Sequence, residues 1–210
     1  MPERSGSIRT LFLSVFATLS FGSIALADGP PFDLPVVCAG NSCDIVHYVD
    51  HDAGPNIRDY ACGTTTYDGH RGTDFAIPDE ATMLDGVPVL SIADGTVVAL
   101  RDGVEDIDSG RIATSSLEGI ECGNGILIDH DDGWQSQYCH LRRGWVAVKQ
   151  GDRVSRCQVI GRIGISGQAT FPHLHFNLRK DGELVDPFSG TAMGTSSAAD
   201  CNVENAALWS

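Results

Sequence analysis

Asn124-Gly125-Ile126-Leu127-Ile128-Asp129-His130-Asp131-Asp132-Gly133-Trp134-Gln135-Ser136-Gln137-Tyr138-Cys139-His140-Leu141 decides the fold class. An apolar run ends at Asp131-Asp132-Gly133, and a second run follows with apolar and polar residues interleaved, which is the signature of a β-hairpin. Period-2 alternation places Tyr138 and His140 on the same face of the second strand. Upstream, Val87-Pro88-Val89-Leu90-Ser91-Ile92, a turn at Asp94-Gly95 and Thr96-Val97-Val98-Ala99-Leu100 repeat the pattern. Downstream, residues 145–148, 158–163 and 173–179 keep the spacing. No long apolar stretch of helical period lies between Tyr60 and Pro187, so the chain reads as all-β.

The flanks carry other signals. Arg4 and Arg9, the apolar run from Leu11 to Ile24 and the small-x-small Ala25-Leu26-Ala27 read residues 1–27 as a signal peptide, which implies export to a periplasmic or secreted location. No other stretch is long and apolar enough to span a membrane. Residues 28–58 begin Asp28-Gly29-Pro30-Pro31 and read as an extended, disulfide-stapled lead-in; 59–189 form the domain; 190–210 form a small-residue-rich tail. Residues 102–119 are acidic and turn-rich, as expected of an inserted surface loop. With 14 Lys and Arg against 28 Asp and Glu, the net charge of −14 disfavours nucleic acid and anionic membranes or polymers as partners. All seven cysteines lie beyond the signal. In an oxidising compartment disulfides are their expected fate. Cys38 and Cys43 can close a small loop, and Cys122 and Cys139 fall nearly opposite each other across the hairpin.

The chemistry sits in three short motifs. His173-Leu174-His175 places two imidazoles on one face of an otherwise apolar strand, where buried imidazoles need a metal or a carboxylate as partner. His70 and Asp74 flank a Gly-rich turn that leads into a strand. Three of these four side chains would leave zinc a fourth position for water, the arrangement of a catalytic rather than a structural site. His140 lies on the second hairpin strand.

Taken together, His70…Asp74, His140-Leu141 and His173-Leu174-His175 occur in the order found in the lysostaphin/LytM-type zinc metallopeptidases, which the chain resembles over roughly residues 60–188. Gly72-Thr73-Asp74-Phe75-Ala76-Ile77-Pro78, Gly123-Asn124-Gly125 and Gly161 to Pro172 fit as well. The resemblance implies a mostly antiparallel β-sheet curved into a groove. It further implies one zinc held by His70, Asp74 and His175, with His140 and His173 as catalytic histidines. The implied activity is hydrolysis of peptide bonds in peptidoglycan stem peptides or cross-links. Phe171-Pro172 stands where the family usually has Gly-Pro, and Asn177 where an acidic residue is common. A second reading is a catalytically silent or latent regulator of other wall hydrolases, whose sequence sign would be a lost ligand; none is lost. His47, His51 and His130 match no motif and read as solvated turn or loop histidines. Trp134, Trp145 and Trp209 read as core or edge residues.

Overall fold

The computed structural model describes Met1 and residues 32–38, 43–194 and 207–209; the expected signal peptide beyond Met1 and most of the tail lie outside the described residues. The strands are β1 (Asp44–His47), β2 (Thr73–Ala76), β3 (Pro88–Leu90), β4 (Gly95–Arg101), β5 (Asn124–Asp129), β6 (Trp134–Leu141), β7 (Arg153–Val154), β8 (Val159–Arg162), β9 (His173–Lys180) and β10 (Glu183–Val185). The main sheet runs β1-β2-β9-β6-β5-β4-β7, with β10 also on β9, and β3 pairs with β8 in a small second sheet. Every pairing between these strands is antiparallel. The all-β reading therefore holds.

Alternation divides the sheet into two chemically different faces. Phe75 of β2, Leu174, Phe176 and Leu178 of β9, Tyr138 of β6, and Ile126 and Ile128 of β5 are all buried in the core. Register locks them together: Phe75 faces Leu174, Phe176 faces Tyr138, and Tyr138 faces Ile126. The odd positions of β9 necessarily turn the other way, carrying His173, His175, Asn177 and Arg179 onto the opposite face. A one-residue slip would exchange the two sets, so burial of the core side fixes the polar side.

Several local expectations need revision. Residues 145–148 form no strand; the segment is extended, and Ala147 N–H donates to the Ile160 carbonyl. Conversely, Arg153–Val154 forms a two-residue edge strand against Gly95–Thr96 that no periodicity announced. A six-residue helix, α1 (Glu80–Asp85), occupies the connection after β2, because Asp79 caps it by accepting from Thr82 N–H and Gly86 ends it at a positive φ of 93°. The lead-in contributes β1 to the sheet and buries Phe32, Asp50 and His51. The 102–119 segment is pinned through Asp106, whose carboxylate accepts from the Arg143 and Ile165 N–H groups. Disulfides join Cys38 to Cys43 and Cys122 to Cys139, as expected; among the described residues Cys157 is a free thiol.

Candidate functional site

Pairing of β2 with β9 sets Asp74 directly opposite His175 and Ala76 opposite His173, so the H-x-H pair and the carboxylate share one face. His70 arrives from the turn at Gly69, whose φ of 73° suits glycine and whose N–H donates to the buried Asp50 carboxylate. His140 closes in from β6, on the face opposite to Tyr138 and not on the shared face that period-2 alternation predicts, because the backbone leaves the extended conformation at His140 itself. Its own φ is 60°, a left-handed conformation held by its N–H bond to the Cys122 carbonyl. The Cys122–Cys139 bridge sits beneath it, with Cys139 opposite His175.

The donor atoms converge. His175 Nδ1 lies 2.7 Å from Asp74 Oδ1 and 3.1 Å from His70 Nε2, and His70 Nε2 lies 3.2 Å from Asp74 Oδ2. A tetrahedral ion with bonds of about 2.0–2.1 Å has ligand edges of about 3.3 Å, and the three residues bring their donors near that spacing, Asp74 meeting His175 through Oδ1 and His70 through Oδ2. All are buried or nearly so, and their N₂O composition suits a borderline metal with an open position.

Hydrogen bonds to backbone carbonyls fix the imidazoles. His70 Nδ1–H donates to Tyr48 O (2.7 Å), His140 Nδ1–H to Ser166 O (2.8 Å) and His173 Nδ1–H to Phe171 O (2.8 Å). Each therefore presents an Nε2 lone pair to the site. Burial, then the charges of His173 and His175, push the His140 imidazole down to about 3. Burial likewise lowers His173, against the raising effect of Asp74. Both are neutral at neutral pH. Burial opposes ionisation of Asp74, but the imidazoles of His175, His47 and His70 packed around it outweigh that effect and hold the carboxyl well below the usual range. His140 and His173 stand with ring centroids 4.7 Å apart, and His173 Nε2 is 3.7 Å from Asp74 Oδ1.

A cavity of about 380 Å³ opens over this cluster, lined in part by His70, His140, His175, Gln137 and Asn177. Gly72 makes the close approach possible. A Cβ there would come within 2.5 Å of Phe176 O and Asn177 Oδ1 and 2.8 Å of His175 Nε2.

The structure brings all five expected residues together and adds one that the sequence reading misplaced. His47 is no solvated histidine: β1 sets it opposite Asp74, and its Nδ1 donates to Asp74 Oδ2 at 3.0 Å. His51 is also misplaced, being buried with its Nε2 2.8 Å from Asp186 Oδ2. His130 bridges the Asp94 carbonyl and Ser136 Oγ, each at 2.7 Å. Nothing local in Asp44-Ile45-Val46-His47 signals the first of these contacts, since it depends on which strand β1 joins.

The sheet thus presents a His-Asp-His donor set that could hold a metal ion, with two further imidazoles beside it. Residues 68–187 match the model of peptidase family M23, more than half of the chain, and the protein belongs to that family. Among curated relatives, the peptidoglycan DD-endopeptidase ShyA of Vibrio cholerae is 35% identical over 117 residues, 56% of this chain and 22% of its own length. The DD-carboxypeptidase/endopeptidase Mpg of Neisseria meningitidis is 32% identical over 120 residues, covering 57% and 22%. The chain thus spans about a fifth of the length of these relatives. Among solved structures, a zinc-containing peptidase from Vibrio cholerae superposes with a TM-score of 0.50 at 27% identity, over 80% of this chain and 40% of the other. A SpoIIIAH–SpoIIQ complex gives 0.52 at 25%, over 74% and 96%.

Proposed function

We propose that the protein is an exported zinc metalloendopeptidase that hydrolyses peptide bonds in peptidoglycan stem peptides or cross-links. The observation that carries this reading is the convergence of His70 Nε2, Asp74 and His175 Nδ1 on one point, with the Nε2 atoms of His140 and His173 turned to the same space. His70, Asp74 and His175 would hold the metal. Zinc, when bound, supplies Lewis acidity that polarises a carbonyl and brings the pKa of water near about 7.

The residues of the chain account for the rest. His140 and His173, neutral and with Nδ1–H tied to carbonyls, each offer an Nε2 lone pair as proton acceptor. One takes the proton of the attacking water. As an imidazolium it can then donate to the leaving amine, while the other stands beside the carbonyl oxygen where negative charge develops. The walls keep these rings from rotating: Ser166 and Phe171 hold them through backbone carbonyls, not through mobile side chains. The peptidoglycan substrate is supported by the activities named for ShyA and Mpg. Export is supported by the N-terminal sequence pattern and by the Cys38–Cys43 and Cys122–Cys139 disulfides. No helix among the described residues is long and apolar enough to cross a membrane. The silent-regulator reading lacks its expected sign, a missing donor.

Digestion of purified sacculi by the zinc-loaded, oxidised protein tests the proposal, with muropeptides read by mass spectrometry. Loss of cross-linked species in the wild type but not in His175→Ala is expected. Intact muropeptides with zinc bound would refute it.

A further inference from the structure

Beyond the donor cluster, the polar face of β9 continues with Asn177 and Arg179. Arg179 leans toward Gln137 and donates from its guanidinium to Gln137 Oε1 at 3.0 Å. Gln137 lies directly opposite Asn177, so the charge is carried back to the level of Asn177. Arg71, next to the His70 donor, also lines the cavity. Burial, then the charge of Arg71, hold the Arg179 guanidinium below its ordinary value, so the two cations feel one another. In a chain of net charge −14, neither has a carboxylate within ion-pair distance among the described residues. Glu121, which also lines the cavity, is turned to Gly119 and accepts its N–H at 3.0 Å.

Asn177 supplies the second observation. It is only 7% exposed, it lines the cavity, and its Oδ1 has no hydrogen-bond partner among the described residues. That oxygen is packed against Gly72, which leaves the donor Nδ2 end for the cavity. Two guanidinium groups and an amide donor, unneutralised and beside a reaction centre, are the chemistry that recognises a carboxylate.

We propose that Arg71, Asn177 and Arg179 form a subsite for a substrate carboxylate next to the metal-binding cluster. The preferred peptides then carry a free carboxylate one or two residues from the bond that is cut. The spacing follows from the strand: Asn177 is two residues from His175, about 7 Å along β9, and an extended peptide advances by the same rise per residue. This inference rests on the peptidase reading and adds the substrate chemistry to it.

The test uses a synthetic cross-linked stem-peptide dimer whose diamino acid beside the cross-link carries either a free carboxylate or a carboxamide. The wild type should cleave the carboxylate form with kcat/KM at least about tenfold higher. Arg71→Gln and Arg179→Gln should each bring that ratio below about threefold. Asn177→Asp, which puts a competing carboxylate between the arginines, should do the same. Arg71 is exposed, so Arg71→Gln tests the charge without disturbing the fold. Equal cleavage of both dimers by the wild type, or a ratio that survives both arginine changes, overturns the subsite and leaves the peptidase reading standing. If neither dimer is cleaved, binding of the same dimers by calorimetry decides. Tenfold tighter binding of the carboxylate form, lost in Arg71→Gln, upholds the subsite while the peptidase reading falls; equal or no binding overturns it.

Discussion

Replacing Cys122 and Cys139 together by alanine should cost the protein about 3 kcal/mol of stability. The bridge closes a loop of 17 residues, and the chain-entropy relation for a loop of that length gives about 3 kcal/mol at 25 °C. For a chain of this size, each kcal/mol moves the thermal midpoint by about 2–4 °C, so a fall of about 6–12 °C is expected. The bridge also serves the site. Cys122 O accepts the His140 N–H that keeps His140 in its left-handed conformation, and Cys139 lies opposite His175. Thermal unfolding of oxidised wild type and double variant, followed by circular dichroism, measures the effect. A midpoint shift smaller than about 2 °C would refute the entropic argument and leave the ladder between β5 and β6 as sufficient support for the hairpin.

Other consequences are equally concrete. His47→Ala removes the donor that holds Asp74 Oδ2, and zinc affinity by chelator competition should weaken by about 10–100-fold; unchanged affinity would show that Asp74 needs no such support. Gly72→Ala drives a methyl into Phe176 O and His175 Nε2, so a loss of about 1–3 kcal/mol in urea unfolding is expected, with weaker zinc binding alongside; a fully stable variant would contradict the close approach. Burial lowers the His130 pKa against the raising effect of the Asp94 carbonyl. With the folded value below the unfolded value of about 6.5, its contribution is present above about pH 6.5 and is lost as pH falls through the folded value. Thermal midpoints should therefore drop less steeply from about pH 7 to about pH 5 in His130→Gln than in the wild type; parallel slopes would exclude His130 as a source of acid sensitivity.

What was legible in the sequence was what local pattern encodes. The hairpin around Asp131-Asp132-Gly133 and the alternation of His173-Leu174-His175-Phe176 both follow from period-2 sterics and a turn, and both stand in the structure. The family resemblance rested on residues whose order is fixed by the chain, and those residues meet in one cluster. What was not legible depends on partners far away in sequence. His47 reaches Asp74 only because β1 adds to the free edge of β2, and His51 finds Asp186 across 135 residues. Neither choice of partner is written in the hydropathy of the segment involved. Helix α1 escaped notice because six residues are too few to show a 3.6 period; only the Asp79 cap gave a signal. Residues 145–148 looked like a strand because an extended apolar segment that makes a single backbone bond to β8 has the same composition as one in a ladder.

The most direct test is a zinc titration into metal-depleted protein with cleavage of sacculi as readout. Activity should rise linearly to one equivalent of zinc per chain and then level off, with no rise in Asp74→Asn. Full activity without zinc, or a zinc-saturated wild type that leaves every cross-link intact, would contradict the account.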